Sequence, residues 1–305
     1  MRKAAFVAST ALALILSTIP VAWAQDTGAD EAVQRAENRA QVAEAVTSET
    51  DAQLADSRAG LIDEAIEAIA ETRRAIDAIG SGDVDAAIDA LAIATGKLET
   101  VIAREPEMAF APVAVDYVTY DVLGSVQSIR DIGNRVEDLV EDGRFQDARA
   151  ILSNFASEIV IQTTSLPLAT YPDAILEATA LLDDGRTDEA LTVLNTALGT
   201  LVVTETAIPL PPLRAEAMIA AAKDLLADDT TETDEAGLTA RDYVEAARQE
   251  LQVAEALGYG RKKDFEDLHD ALDELDRLIE AREDTGGIFE TIADRFKDLR
   301  ERVFD

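Results

Sequence analysis

The hexapeptide LVEDGR at residues 139–144 occurs in related form at two other places, as AIGSGD at residues 78–83 and as LLDDGR at residues 181–186. Each copy carries the end of a helical pattern, then two polar or small residues, then a glycine. The three glycines are Gly82, Gly143 and Gly185. Glycine has no Cβ and readily adopts the left-handed conformation that ends many helices. We therefore predict that each of these glycines ends one helix and leads into the next.

The residues that follow each glycine share one apolar pattern. Apolar side chains occur 5, 8, 9, 12 and 16 positions beyond it in all three copies. They are Ala87, Ala90, Leu91, Ala94 and Leu98 in the first copy, Ala148, Ile151, Leu152, Phe155 and Ile159 in the second, and Ala190, Val193, Leu194, Ala197 and Leu201 in the third. This spacing places five side chains on one face of a helix. The repetition predicts three helical hairpins.

A proline lies 24 residues after each repeat glycine, at Pro106, Pro167 and Pro209, and the first of them is followed by Pro112. Proline disrupts a helix interior, so we predict that the second helix of each hairpin stops or bends there. A plain helix stop is one interpretation of these prolines. The other is a short extended link that buries the leucine or isoleucine beside the proline.

These patterns predict an all-α protein in which repeated helical hairpins pack into a bundle. Strict alternation of β-branched residues is not evident, so we predict no strand. Residues 225–254 fit a fourth, degenerate hairpin. A final amphipathic helix carries an apolar face, which we expect either to dock on the same chain or to pair between protomers. This face consists of Phe289, Ile292, Phe296, Leu299 and Val303.

The first 24 residues have the layout of a cleavable secretory signal peptide. Arg2 and Lys3 precede an apolar run, and two small residues, Ala22 and Ala24, occupy the positions that a signal peptidase requires. We predict cleavage after Ala24. The chain has no cysteine that could carry a lipid anchor, so we expect a free periplasmic protein.

The rest of the chain divides into three parts by composition. Residues 25–53 are polar with few large apolar side chains, and we expect a mobile or weakly helical lead-in. Residues 54–281 carry the hairpin repeats and form the helical domain. Residues 282–305 form the C-terminal amphipathic helix.

The charge of the chain restricts its partners. Removal of Arg2 and Lys3 with the leader leaves 25 basic against 61 acidic side chains, a net charge of −36. A chain this acidic repels nucleic acid and anionic lipid. We therefore expect neither nucleic-acid binding nor insertion into a membrane after cleavage.

Three groups of residues resemble the YfdX family of exported bacterial proteins. They are AIEAI at 65–69 with TRRA at 72–75 and the turn at Gly82, GRFQDAR at 143–149 with SLPL at 165–168, and GRTDEA at 185–190 with IPLPPLRAEA at 208–217. The similarity covers residues 54–260. It implies an all-helical domain that self-associates in the periplasm, and an association with acid, drug or other envelope stress. The family has no established catalytic residues, so the resemblance implies no active site.

The sequence shows no arrangement of residues that predicts catalysis. His269 is the only histidine, and a zinc site needs further histidine or cysteine ligands. The acidic loop at residues 228–235 lacks the glycine and the bidentate glutamate of an EF-hand loop, so we interpret it as a solvated loop. Motifs for a serine nucleophile and for a phosphate-binding loop are missing as well. We predict a non-enzyme without a cofactor or a metal.

Two functions are compatible with these patterns. The first is a stress-associated binding protein, chaperone-like or specific for small apolar compounds, whose self-repulsion disappears below about pH 4 as its carboxylates protonate. The same acidity is equally compatible with a role in solubility alone. The second is a structural or adaptor protein whose stacked hairpins present a surface to other proteins.

Overall fold

The computed structural model describes residues 28–227 and 232–303, which form twelve helices and one three-stranded sheet. The helices are α1 (Gly28–Gln41), α2 (Ala43–Ala59), α3 (Asp63–Ser81), α4 (Val84–Arg104), α5 (Val126–Glu141), α6 (Phe145–Leu152), α7 (Tyr171–Asp183), α8 (Thr187–Leu198), α9 (Leu210–Ala227), α10 (Ala240–Leu257), α11 (Lys262–Ala281) and α12 (Gly286–Val303). The strands are β1 (Phe110–Tyr120), β2 (Glu158–Pro167) and β3 (Val202–Pro209). The signal peptide and its cleavage residue Ala24 lie outside the described residues.

The predicted helical hairpins are confirmed as the dominant element of the fold. Gly82, Gly143 and Gly185 have φ angles of 81°, 72° and 72°, the left-handed conformation. They lie between the helices of the hairpins α3–α4, α5–α6 and α7–α8. The side chain of Asp83 accepts a hydrogen bond from the Ala86 N–H and caps α4. Each turn therefore consists of a glycine in the left-handed conformation and a new helix that starts directly after it.

The first and third hairpins pack against each other to form one hydrophobic core. Helix α4 lies against α7, and α3 lies against α8. All five apolar positions of the first copy are fully buried, and Ala190, Leu194 and Ala197 are buried in the third. Alanine at the position nearest each turn, Ala87 and Ala190, has no exposed surface, which allows the paired helices to approach closely.

The second hairpin departs from the predicted pattern. Helix α6 ends at Leu152, whose side chain is 51% exposed, and Ile159 lies in β2 instead of on a helix. The run from Ile159 to Ile161 consists of β-branched residues, which favour the extended conformation over a helix. The five-position apolar face was therefore wrong for the last part of this copy.

The sheet corrects the prediction that the chain has no strand. The three segments that contain Pro112, Pro167 and Pro209 each form a strand after the second helix of a hairpin, and they pair antiparallel in the order β1-β2-β3. The interpretation of an extended link was therefore correct for these three prolines, and the link has eight residues or more in each case. A plain helix stop describes Pro106, since α4 ends at Arg104, whereas α6 and α8 end well before Pro167 and Pro209. Strand pairing between segments about 45 residues apart is not visible in a local pattern.

The prolines occupy positions where a ladder hydrogen bond is not needed. Pro112 lies at a bulge in β1, and its carbonyl accepts a hydrogen bond from the Ile62 N–H on the side away from β2. Pro209 ends β3 next to Leu210, whose N–H donates to the Ser157 carbonyl. Since adjacent residues of a strand point their N–H groups to opposite edges, the missing N–H of Pro209 faces away from β2.

A second hydrophobic core joins α9, α10, α11 and α12. Helices α9 and α10 form the predicted fourth hairpin, in which three of the five apolar positions are buried: Ala247, Leu251 and Ala254. Helix α12 docks on α11 and α9 of its own chain. Four residues of its predicted apolar face are buried, namely Phe289, Ile292, Phe296 and Leu299.

The segment expected to be mobile or weakly helical forms α1 and most of α2. Leu54 of α2 packs on one face of the sheet against Ile159 and Ile161 of β2. The sequence of this segment contains few large apolar residues, so its composition does not predict a packed helix. The sheet provides the apolar surface on which α2 packs. Within the described ranges, each helix is too short or too polar to cross a membrane.

Candidate binding site

A pocket of about 280 Å³ lies where the sheet meets three helices, α2, α9 and α12. Both apolar and charged side chains line it. The apolar residues are Ala207, Ile208, Pro209, Pro212, Leu213 and Phe296, and the charged ones are Glu49, Glu216, Arg300 and Glu301. A pocket with an apolar lining and a few charged groups is the usual form of a site for a small organic ligand.

The local sequence explains why β3 and α9 bring these residues together. Residues 208–213 read IPLPPL, in which β3 ends at Pro209 and α9 begins at Leu210 without an intervening loop. Proline is tolerated in the first turn of a helix because the N–H groups there have no partner within the helix. The two prolines of that turn, Pro211 and Pro212, are therefore compatible with an abrupt change from strand to helix.

The charge in the pocket is predominantly negative. Three carboxylates, of Glu49, Glu216 and Glu301, face a single guanidinium, that of Arg300. Burial raises the pKa of Glu216, and its ion pair with Arg300 only partly opposes the shift, while Glu49 raises the pKa further. The arrangement favours a ligand that has an apolar body and a positive charge.

A wider and more polar groove of about 810 Å³ lies next to this pocket, and the two share residues of β3. Its charged residues are Glu158, Glu205, Arg261, Asp264 and Arg302. Asp264 is paired with Arg261 at 3.4 Å and with Arg302 at 3.6 Å. The exposed strand β3 thus has a mainly apolar pocket and a polar groove beside it.

A buried cluster of ionic groups lies between α1 and α10. The carboxylate of Glu250 on α10 accepts from Arg39 Nε at 2.8 Å and from Arg35 Nη2 at 3.2 Å. All three residues are at least 92% buried. Two arginines four residues apart on α1 therefore converge on one carboxylate, and Arg35 also donates to the Gly124 carbonyl. These contacts attach α1 to α10.

Asp121, directly after β1, extends this cluster to α9. Arg214 of α9 donates to both of its carboxylate oxygens, at 3.0 and 2.7 Å, and Ser157 Oγ donates to it at 2.9 Å. Partial burial by itself would raise the pKa of Asp121, but the guanidinium groups of Arg214 and Arg39 lower it below the ordinary value. Asp121 therefore stays ionised and links β1 to α9.

The sequence did not predict this cluster, and only a weak signal was present in it. Arg35 and Arg39 have the spacing of neighbours on one helix face, but the surrounding segment is so polar that two arginines there indicate a solvated surface. Their partner Glu250 lies 211 residues from Arg39. One glutamate among 61 acidic residues cannot be recognised as buried from its local pattern.

The structure places the other residues considered in the sequence at separate positions. Pro209 lines the pocket, whereas Pro112 and Pro167 lie on the sheet outside it. Burial, with a contribution from Arg248, lowers the pKa of half-buried His269 on α11. In the described part of the acidic loop, Asp234 accepts hydrogen bonds from Tyr243 Oη at 2.6 Å and from the Leu238 N–H at 2.7 Å. Among residues 28–227 and 232–303, no three potential metal ligands form a group.

Comparison with known proteins gives a match over part of the chain. Residues 68–207 match the family described as YfdX protein. No curated protein matches. Among solved structures, a crystal structure of YfdX from Salmonella Typhi is similar, with 14% sequence identity and a TM-score of 0.35 over 49% of this chain and 93% of that one. The matched region of the family contains the three repeat glycines and all of β1 and β2, and it ends before α9.

Proposed function

We propose that this chain, whose residues 68–207 match the YfdX family, is a non-enzymatic, exported binding protein of the periplasm that acts under envelope stress. The observation that carries the proposal is the pocket between α2, β3, α9 and α12, with its apolar lining and its excess of carboxylates. The ligand class that fits it is a small apolar compound with a positive charge. The apolar body would contact Leu213 and Ile208, and the cation would lie near Glu49 and Glu216.

Benzyltrimethylammonium combines an aromatic ring with a permanent charge and is a suitable probe. We expect isothermal titration calorimetry to detect its binding, and to show that neutral benzyl alcohol binds at least tenfold more weakly. Leu213→Arg places a long cationic side chain in the pocket and should weaken binding of the probe at least tenfold. The matched control is Leu176→Arg, since Leu176 lies on α7 with 54% of its side chain exposed.

The control variant should bind the probe like the unchanged protein. The proposal is wrong if the unchanged protein does not bind the probe, or if both arginine variants lose affinity to the same extent. Equal affinity for the cation and for benzyl alcohol would contradict the role of the carboxylates.

A second candidate function, that of an adaptor or structural protein, is supported by the face of the second hairpin. Val140, Phe145 and Leu152 are 44%, 62% and 51% exposed and surround a shallow depression on α5 and α6. Such a patch would serve self-association or contact with another envelope protein. Recovery of one stoichiometric partner at neutral pH, lost in a Phe145→Asp variant, would favour this function, and many partners recovered only after acid shock would favour the first.

A further inference from the structure

The outer edge of β3 has backbone groups without a partner in the described part of the chain. The sheet order is β1-β2-β3, so β3 pairs with β2 on one side only. The Leu210 N–H donates to the Ser157 carbonyl and therefore points toward β2. Because the backbone groups of successive strand residues point to opposite edges, the N–H and C=O groups of the even-numbered residues of β3 also point toward β2. The corresponding groups of Val203, Glu205 and Ala207 therefore point outward.

The edge is also open to solvent. Residues 203–207 are all exposed, and Val203 has 55% of its surface accessible. An edge with unpaired N–H and C=O groups is a template for another extended chain. The outer edge of β1 is less suitable, because a bulge between Pro112 and Ala114 interrupts its regular spacing and the Ile62 N–H occupies the Pro112 carbonyl.

From this edge we infer that β3 binds an extended, basic segment of another polypeptide as a fourth antiparallel strand. The inference rests on the proposed binding function and adds to it a second class of partner at a neighbouring surface. Strand addition derives affinity from main-chain hydrogen bonds and specificity from alternate side chains. The two recesses beside β3 determine what those side chains must be.

One face of the added strand would lie next to the mainly apolar pocket. Side chains alternate between the two faces of a sheet, so Thr206 and Ile208 share a face with Ile159 and Ile161 of β2. Ile208 lines the pocket with Leu213 and Phe296 and does not line the groove, while Thr206 borders both recesses. Residues of the added strand on this face would therefore be apolar.

The other face of the added strand would lie next to the polar groove. Glu205 and Ala207 share this face with Val160; Glu205 borders only the groove, near Glu158, while Ala207 borders both recesses. The groove contains three carboxylates, of Glu158, Glu205 and Asp264, against two guanidinium groups, of Arg261 and Arg302, and Asp264 is paired with both of these. Lysine or arginine on this face of the added strand would complement the excess negative charge.

The same charge argues against a second copy of this chain as the added strand. In the two-fold antiparallel register with the fullest overlap, Glu205 lies directly opposite Glu205 of the other copy. Like charges directly opposite each other destabilise a strand pair. A single acidic residue in the middle of an exposed edge thus opposes self-pairing and admits a basic segment.

A labelled ten-residue peptide of alternating valine and lysine tests the inference by fluorescence anisotropy with the full mature protein. We expect this peptide to bind, and the alternating valine and glutamate peptide to bind at least tenfold more weakly. Ala207→Pro removes an outward N–H without affecting the ladder to β2 and should weaken binding at least fivefold. Glu205→Lys should weaken it at least tenfold. Glu137→Lys changes the net charge equally at an exposed position of α5 and should have little effect.

Amide hydrogen exchange locates the bound peptide. We expect the N–H groups of Val203, Glu205 and Ala207 to exchange more slowly when the peptide is present. Peptide binding without protection of these three amides would overturn the inference, and so would equal loss of affinity in Glu205→Lys and Glu137→Lys. If benzyltrimethylammonium binds but the peptide does not, strand addition is wrong while the proposed pocket stands. If only the peptide binds, the small-molecule pocket is wrong.

Discussion

At the scale of the residue, single charged side chains connect parts of this protein that are distant in sequence. Glu250 forms ion pairs with two arginines of α1. Asp121 forms ion pairs with Arg214 of α9 and with Arg39 of α1. Buried ion pairs are costly to form but are also costly to break, because the remaining partner loses its counter-charge. Here they attach α1 to α10, and they attach α9, close to its junction with β3, to the end of β1. The shape of the candidate pocket depends on that junction.

Asp121→Asn should reveal this link through its pH dependence. The folded-state pKa of Asp121 is below the ordinary value, so its contribution to the free energy of unfolding is present above the unfolded pKa. It is lost as pH falls through the folded pKa. We expect the variant to be less stable by about 2 kcal/mol at pH 7, since hydrogen bonds to charged groups are worth about this much. The difference should shrink below about pH 4.

Urea unfolding at pH 7, 4 and 3 measures the effect. Asp116→Asn is the control, because Asp116 is exposed on β1, the strand that precedes Asp121, and the change should alter stability by no more than about 0.5 kcal/mol. A stability difference for Asp121→Asn that stays constant down to pH 3 would show that the ionised carboxylate is not responsible.

At the scale of the element, the fold is built from a unit of helix, glycine turn, helix and strand. The unit occurs three times, and the strands of the three units form one sheet. The turn glycine and the proline have different tasks within it. The glycine permits a left-handed backbone, and the proline occupies a bulge or the end of a strand, where no ladder donor is required.

Two glycine-to-alanine variants separate the conformational role of glycine from its size. At Gly143 and at Gly96 an added Cβ would meet no atom within 4 Å. Gly143 has a φ of 72°, so Gly143→Ala should destabilise the protein by about 1 kcal/mol. Gly96 lies inside α4, so Gly96→Ala should stabilise it by about 0.5–1 kcal/mol. Thermal unfolding of both variants measures these changes. A melting temperature that shifts in the same direction in both would contradict the conformational role of Gly143.

At the scale of the whole molecule, the dominant property is negative charge. The chain carries 61 acidic and 27 basic side chains, and removal of the predicted leader would increase the imbalance. Net charge of this size keeps molecules apart and also weakens the compact state by self-repulsion. Protonation of the carboxylates removes both effects. Exposed apolar side chains such as Phe145 and Leu152 would then meet less repulsion when two molecules approach.

We expect the oligomer size of the mature protein to increase as pH falls from 7 to 3. Size-exclusion chromatography with light scattering measures it, and binding of a hydrophobic dye should rise in parallel because less repulsion opposes exposure of apolar surface. Phe145→Asp is the matched variant and should reduce the increase in size. A size and a dye signal that stay constant over this range would remove the acid switch from the proposed function and leave charge as a determinant of solubility.

The amino-acid sequence by itself determined the hairpins, because the information that specifies them is local. A glycine ends a helix through its own backbone conformation, and an apolar face is visible as a spacing within about 17 residues. The family resemblance could be recognised from the same segments. Residues such as Ala87, Leu91 and Ala190 were therefore assigned correctly to buried helix faces.

Only the tertiary structure decided the sheet, the ionic cluster and the candidate pocket. Each depends on residues that are far apart in sequence: β1 and β3 meet on opposite sides of β2, and Arg39 reaches Glu250 across 211 positions. In a chain so rich in carboxylates, no local pattern distinguishes the few that are buried or face a pocket. Pro209 shows the division most clearly, since its sequence context predicted a boundary, but long-range strand pairing and helix packing made that boundary one wall of the candidate pocket.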